Sequence, residues 1–159
     1  DKLTVEWTPP SDGPERPCVR VLRADGTDTG IAFHGVPGGH EFNSFVVGLY
    51  NAAGPGQSID PALAEAIAAI DRPLDLQIVV ALSCTMCPEL VIAAQKIAAS
   101  NPLVTAKVYD VNHFPELRER YKIMSVPCLI INKAQVAFGK KTLGQLLELL
   151  AEPEDGQTG

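Results

Sequence analysis

The chain has 159 residues, 46% hydrophobic and 20% charged, with a formal net charge of -6. That length and balance suit one ordinary domain or two small ones sharing a core, and exclude a disordered chain. No run of Lys or Arg is long enough to track phosphates, which excludes nucleic acid and anionic membrane as main partners.

Leu3 to Trp7 is a short strand-like piece. Arg16-Pro17-Cys18-Val19-Arg20-Val21 predicts a strand, Asp25 to Asp28 a turn, and Ile31 to Gly35 a second strand. Glu41 to Asn51 reads as an apolar helix. Ile59 to Asp71 is an Ala-rich amphipathic helix started by Asp60-Pro61 and expected to pack between two halves of the molecule. Asp75 to Leu82 is a β-rich apolar run and predicts a buried strand. After Cys84, Leu90, Val91, Ala94, Ile97 and Ala98 fall at helical spacing, and Asn101-Pro102 ends that helix. Leu103 to Asp110 is the next strand and Phe114 to Tyr121 a helix with Pro115 in its first turn. Cys128 to Asn132 and Gln135 to Phe138 make a strand pair, and Thr142 caps a closing helix to Leu150. The tail from Pro153 to Gly159 is polar and expected to be mobile.

From Asp75 onward the order is strand, helix, strand, helix, two strands, helix. A strand, crossover helix and parallel strand form a right-handed unit, and the later hairpin makes the sheet mixed. That is the thioredoxin topology, an α/β fold with helices on both faces of a mixed central sheet. The N-terminal part repeats its end. Pro17-Cys18, an apolar strand, a turn, a strand ending near Phe33 and Gly35, and a helix match Pro127-Cys128, strand, turn, Phe138-Gly139 and helix. Such self-similarity predicts two fused thioredoxin-like folds, the first incomplete at its N-terminus. The expected division is 1–58 for the partial first fold, 59–73 for a connecting helix, 74–152 for the second fold, and 153–159 for the tail.

Cys84-Thr85-Met86-Cys87 stands where the first strand of the second fold meets its helix. At a helix start, unpaired N–H groups and the helix dipole stabilise a thiolate, the attacking species in thiol-disulfide exchange. Cys84 is the candidate nucleophile, and Cys87, one turn further in, the thiol that resolves a mixed disulfide and releases a reduced partner. Thr85 and Met86 add no charge and are candidate partner-contacting positions. A zinc site would need a second close pair; Cys18 and Cys128 are single, and His34, His40 and His113 show no ligand spacing with them. No metal site is expected. Val126-Pro127 would face the dithiol, and a cis bond there would turn the Val126 backbone toward an extended partner segment; an ordinary trans proline is the alternative. Cys128, and more firmly Cys18, read as buried thiols acting as small hydrophobes. Exchange also needs a proton acid near Cys87, and Glu41, opening an otherwise apolar helix, is a candidate; on its own it reads as a first-turn acid that satisfies the helix dipole.

Gly35-Val-Pro-Gly-Gly-His-Glu-Phe-Asn-Ser-Phe-Val-Val, Ile70-Asp71, Ser83-Cys84-Thr-Met-Cys87-Pro88 and Met124-Ser-Val-Pro127 resemble the N-terminal domain of the AhpF family of alkyl hydroperoxide reductase components over nearly the whole chain. The resemblance implies two fused thioredoxin folds, only the second with a dithiol. It implies that NADH reduces FAD on a thioredoxin-reductase-like flavoprotein, fused or separate, which reduces this dithiol, which in turn reduces an AhpC-like two-cysteine peroxiredoxin. It also implies that Glu41 lies buried beside the dithiol, that Cys84 attacks and Cys87 resolves, and that Pro127 is cis. Thr85 departs from the family's usual His, so thiol pKa and potential are expected to differ, and Cys128 stands where the family often has a small residue. Asp1 aligns partway into the family's first fold.

The expected function is therefore a dithiol electron carrier in peroxide detoxification, a thiol-disulfide oxidoreductase. The chain has no Gly-rich nucleotide fingerprint, so no cofactor is expected on it. The alternatives are a glutaredoxin-like or general protein disulfide oxidoreductase, and a thioredoxin-fold binding module with a structural disulfide. No apolar stretch spans a bilayer and Asp1 to Val5 lacks signal-peptide character, so a cytoplasmic setting is expected.

Overall fold

β-Branched and apolar runs between turn residues become strands here, and Ala- and Leu-rich runs become helices. The structure, a computed structural model, describes residues 3–8 and 15–152. In chain order it contains β1 (Cys18–Leu22), β2 (Asp28–His34), α1 (Glu41–Ala53), α2 (Pro61–Ala68), β3 (Leu74–Val80), α3 (Cys87–Ser100), β4 (Val104–Asp110), α4 (Glu116–Arg120), β5 (Cys128–Ile131), β6 (Gln135–Phe138) and α5 (Leu143–Ala151). The strands form one six-stranded mixed sheet in the order β1-β2-β4-β3-β5-β6. β3 and β4 run parallel, joined by α3, while β5 lies antiparallel on the other side of β3. The β1–β2 hairpin extends this sheet, because β2 pairs in parallel with β4 from Ile31↔Ala106 to His34↔Tyr109.

Alternation along each strand divides the core between the two faces. On one face Ile31, Phe33, Leu76, Ile78, Val80, Val108 and Leu129 pack against α3 and α5. On the other, Val79, Tyr109, Cys128 and Ile130 meet Phe114, Leu117 and Ile123 around α4. Thr142 caps α5 with a reciprocal pair of bonds to Gln145.

The internal repeat is geometric as well as sequential. Arg16-Pro17 and Val126-Pro127 are both cis. The Pro17 carbonyl accepts from Gly35 N–H at 2.8 Å and the Pro127 carbonyl from Gly139 N–H at 3.0 Å. Cys18 stands opposite His34, and Cys128 opposite Phe138. His34, and not Phe33, therefore takes the place of Phe138, one residue away from a match of the two Phe residues.

Several expectations need correction. Leu3 to Trp7 forms no strand; Val5 and Trp7 are 93% and 87% exposed, with no strand to pair with among the described residues. The helix expected from Ile59 to Asp71 covers only Pro61–Ala68. It packs on α5 and α3 rather than between the halves, because Asn101 Nδ2 donates to the Ile67 and Ile70 carbonyls and ties its end to α3. The helix expected from Phe114 shortens to Glu116–Arg120, with Phe114 inserted into the core instead. The tail 153–159 lies outside the described residues.

Candidate active site

β3 ends at Val80, and the turn that follows delivers Cys84, whose N–H donates to the Ala81 carbonyl at 3.0 Å. Cys87 is the first residue of α3, with Pro88 in the first turn, where its missing N–H leaves nothing unpaired. Cys84 and Cys87 are joined as a disulfide, their Cα atoms 5.6 Å apart. The two sulfurs have different surroundings. Cys87 is fully buried in the larger core cluster, while Cys84 is half-buried at its edge. Cys84 Sγ lies 3.9 Å from the Val126 carbonyl oxygen, so the cis-Pro127 loop covers one side of the disulfide. Thr85, Met86 and Ser125 are exposed around it, and Met124 is 88% exposed.

The first unit contributes α1, which lies parallel to α3 on the same face. His40 N–H donates to the Leu82 carbonyl at 2.9 Å, Gln95 Nε2 donates to the Ser44 carbonyl at 2.8 Å, and Arg23 bridges the Ala52 and Ala99 carbonyls. That register sets Glu41 level with the Cys87 end of α3. Glu41 is fully buried; Ser44 Oγ donates to Glu41 Oε2, and Glu41 Oε1 finds no partner among the described residues. Burial pushes the Glu41 carboxyl above the usual range, with the Ser44 hydrogen bond opposing it. Its charged form is disfavoured by that burial, the condition under which a carboxyl can hold and hand over a proton.

Gly39 fixes this junction. Its φ is +53°, and a Cβ there would lie 2.5 Å from the Leu82 carbonyl oxygen. Gly39→Ala is expected to cost roughly 1–3 kcal/mol by urea denaturation, combining left-handed strain with a backbone clash. Because Leu82 leads into the dithiol turn, the same substitution should alter the rate at which Cys84 is reduced by dithiothreitol.

The remaining thiols differ from each other. Cys128 points to the opposite sheet face from the dithiol, is fully buried, and has its pKa pushed up to about 11 by burial, as an inert core thiol should. Cys18, expected to be buried, is exposed, and its Sγ lies 3.9 Å from His34 Nε2. Sequence spacing missed that pair because only strand register brings residues so far apart together. Among the described residues no group of three His, Cys, Asp or Glu side chains is disposed to hold a metal ion, and no helix is long and apolar enough to cross a membrane.

A βαβ unit whose helix opens on a C-x-x-C disulfide, faced by a cis-proline, defines a thioredoxin-fold dithiol protein, and residues 74–151 match the thioredoxin domain family. The chain is 33% identical over 156 residues to the AhpF component of alkyl hydroperoxide reductase from Pseudomonas aeruginosa, a match covering 98% of the chain and 29% of that protein. It is 29% identical to a Bacillus subtilis protein named NADH dehydrogenase, over 97% of the chain and 30% of that protein. It superposes on the NTD_N/C domain of AhpF from Enterococcus faecalis with a TM-score of 0.83 at 43% identity, covering 86% of the chain and 66% of that structure. A protein disulfide oxidoreductase from Aeropyrum pernix, at 23% identity and a TM-score of 0.74, shares the fold. The chain is a homologue of the N-terminal domain of AhpF, with its tandem thioredoxin-like architecture. It spans 29% and 30% of the length of these two curated relatives.

Proposed function

We propose that this chain is the dithiol carrier of a peroxide-detoxifying system, taking electrons from a flavoprotein disulfide reductase and passing them to an AhpC-like two-cysteine peroxiredoxin. The observation that carries this reading is the asymmetry of the disulfide: Cys84 at the surface against the Val126 carbonyl, Cys87 buried behind it. In the dithiol form Cys84 thiolate attacks the peroxiredoxin disulfide, forming a mixed disulfide and expelling one thiol. Cys87 then attacks Cys84, closing the disulfide and releasing the second thiol, so two electrons leave with the partner. Glu41 supplies and recovers the proton of Cys87. Thr85, Met86 and the Val126 backbone contact the partner, with Pro127 holding that backbone toward Cys84. FAD and NADH belong to the reductase, fused or separate, and the setting is cytoplasmic. Residues 1–58 act as the partial first fold, 59–73 as the connection and 74–152 as the redox fold.

The test is to mix the reduced chain with an oxidised AhpC-like peroxiredoxin, and separately with glutathione disulfide, and follow thiol loss at Cys84 and Cys87 by rapid acid quench and peptide mapping. Much faster oxidation by the peroxiredoxin is expected. Equal rates would favour a general disulfide oxidoreductase. No exchange with either, together with a reduction potential below about -300 mV, would make the disulfide structural.

A further inference from the structure

Away from the dithiol, the β1–β2 hairpin assembles a second reactive group. Cys18 and His34 face each other across the antiparallel ladder, with Sγ 3.9 Å from Nε2. His34 Nδ1 lies 2.7 Å from the Glu15 carbonyl oxygen, which only accepts hydrogen bonds. Nδ1 therefore carries the proton, and Nε2 presents its lone pair to the thiol. The ring is held flat against Tyr109, with centroids 4.2 Å and planes 4° apart, and Phe114 stands edge-on to it. A buried base, its tautomer set by a third group, thus sits beside an exposed thiol, the arrangement that activates a nucleophile.

The repeat supplies an internal comparison. Cys128 occupies the equivalent position after its own cis-proline, but it is buried and faces Phe138 where Cys18 faces His34. The two thiols share a backbone setting and differ in base and access.

We propose that Cys18 and His34 form a second, one-cysteine exchange site, which takes up low-molecular-weight disulfides as a mixed disulfide. Cys18 Sγ attacks one sulfur of the small disulfide, and its proton passes to His34 Nε2. The new S–S bond forms as the old one breaks, and His34 returns the proton to the departing sulfur. The protein thiol is oxidised, one half of the small disulfide leaves as a thiol, and no other oxidant is needed. The groups around Cys18 are Glu15 and Arg16 before β1, Arg20 on β1, His34 on β2, and Lys107 and Tyr109 on β4, with Arg20 ion-paired to Asp28. Lys107 in turn lies 3.8 Å from Asp75, so Arg20 and Lys107 are each matched by a carboxylate. Partial burial of its sulfur raises the Cys18 thiol although the residue as a whole is exposed, and burial lowers His34, so the pair rests neutral and His34 acts as a base during attack.

Glutathione disulfide is the probe, used on the full chain with Cys84–Cys87 oxidised and no reductant, and read by intact mass and peptide mapping. One glutathione is expected on Cys18 and none on Cys128. His34→Gln should slow the addition by roughly 100-fold. An unchanged rate in a folded His34→Gln chain, or glutathione on Cys128 instead, overturns the proposal. Should that variant fail to fold, the pH profile of the unaltered chain decides. With His34 as base the rate holds from about pH 8 down to about pH 6.5, because a histidine below its ordinary value is still mostly neutral there. A tenfold loss for each pH unit over that range marks an unassisted thiol and overturns it.

Discussion

Cys84→Ser is expected to lower electron transfer to the peroxiredoxin by roughly three or more orders of magnitude, whereas Cys87→Ser should stop the reaction halfway. Cys87 lies wholly within the core, so a partner disulfide reaches only Cys84. Without Cys84 no mixed disulfide forms. Without Cys87 it forms and stays, since Cys128 faces the other side of the sheet and Cys18 lies beside His34 and Tyr109 on edge strand β1, which β2 and β4 separate from β3. A non-reducing gel should show a covalent adduct with the peroxiredoxin for Cys87→Ser and none for Cys84→Ser. A serine hydroxyl in that apolar site costs about 1–3 kcal/mol, so Cys87→Ala serves as the second variant. An adduct that forms without Cys84 would remove it as the nucleophile.

Glu41→Gln should separate two effects of opposite sign. A carboxyl whose pKa is raised by burial binds more protons in the folded than in the unfolded chain. Its contribution is therefore most favourable below the unfolded carboxylate pKa and is lost as pH rises through the folded value. The amide is neutral throughout, so Glu41→Gln should gain stability over the parent chain as pH rises, by about 1–3 kcal/mol in urea titrations at alkaline pH, the cost of an unsatisfied buried group. Exchange should move the other way. With no carboxylate to take up the Cys87 thiol proton, resolution of the mixed disulfide should slow by about 100-fold near neutral pH and lose the pH dependence that Glu41 imposes. A variant that gains stability but exchanges at the parent rate would leave Glu41 a structural group.

Much of this was legible locally. The apolar run before Cys84, the helical spacing after it, Asn101-Pro102 and the Thr142 cap are all signals carried within a few residues. They produced β3, α3 and α5 at nearly their observed bounds. The repeat was legible too, because Pro-Cys followed by a hairpin is a short pattern. Leu3 to Trp7 alternates like a strand, yet alternation only offers a face; a strand also needs a neighbour, and among the described residues it has none. The helix after Ile59 shortened because Asn101 captures the carbonyls at its end, a contact from another element.

Cys18 shows the boundary most clearly. Its sequence context equals that of Cys128, both following a proline at a strand start, and composition alone reads them alike. In the sheet, a one-residue difference in the paired strand puts His34 opposite one and Phe138 opposite the other. Side chains alternate across a strand, so such a step exchanges the residue that faces a given neighbour. The amino-acid sequence by itself determined the dithiol, its helix and the doubled frame, because each is written in contiguous residues. Only the tertiary structure decided that Cys84 is open and Cys87 closed, that Glu41 is buried where α1 packs on α3, and that Cys18 has a base. Those depend on register and helix packing between segments far apart in the chain, which no local pattern encodes.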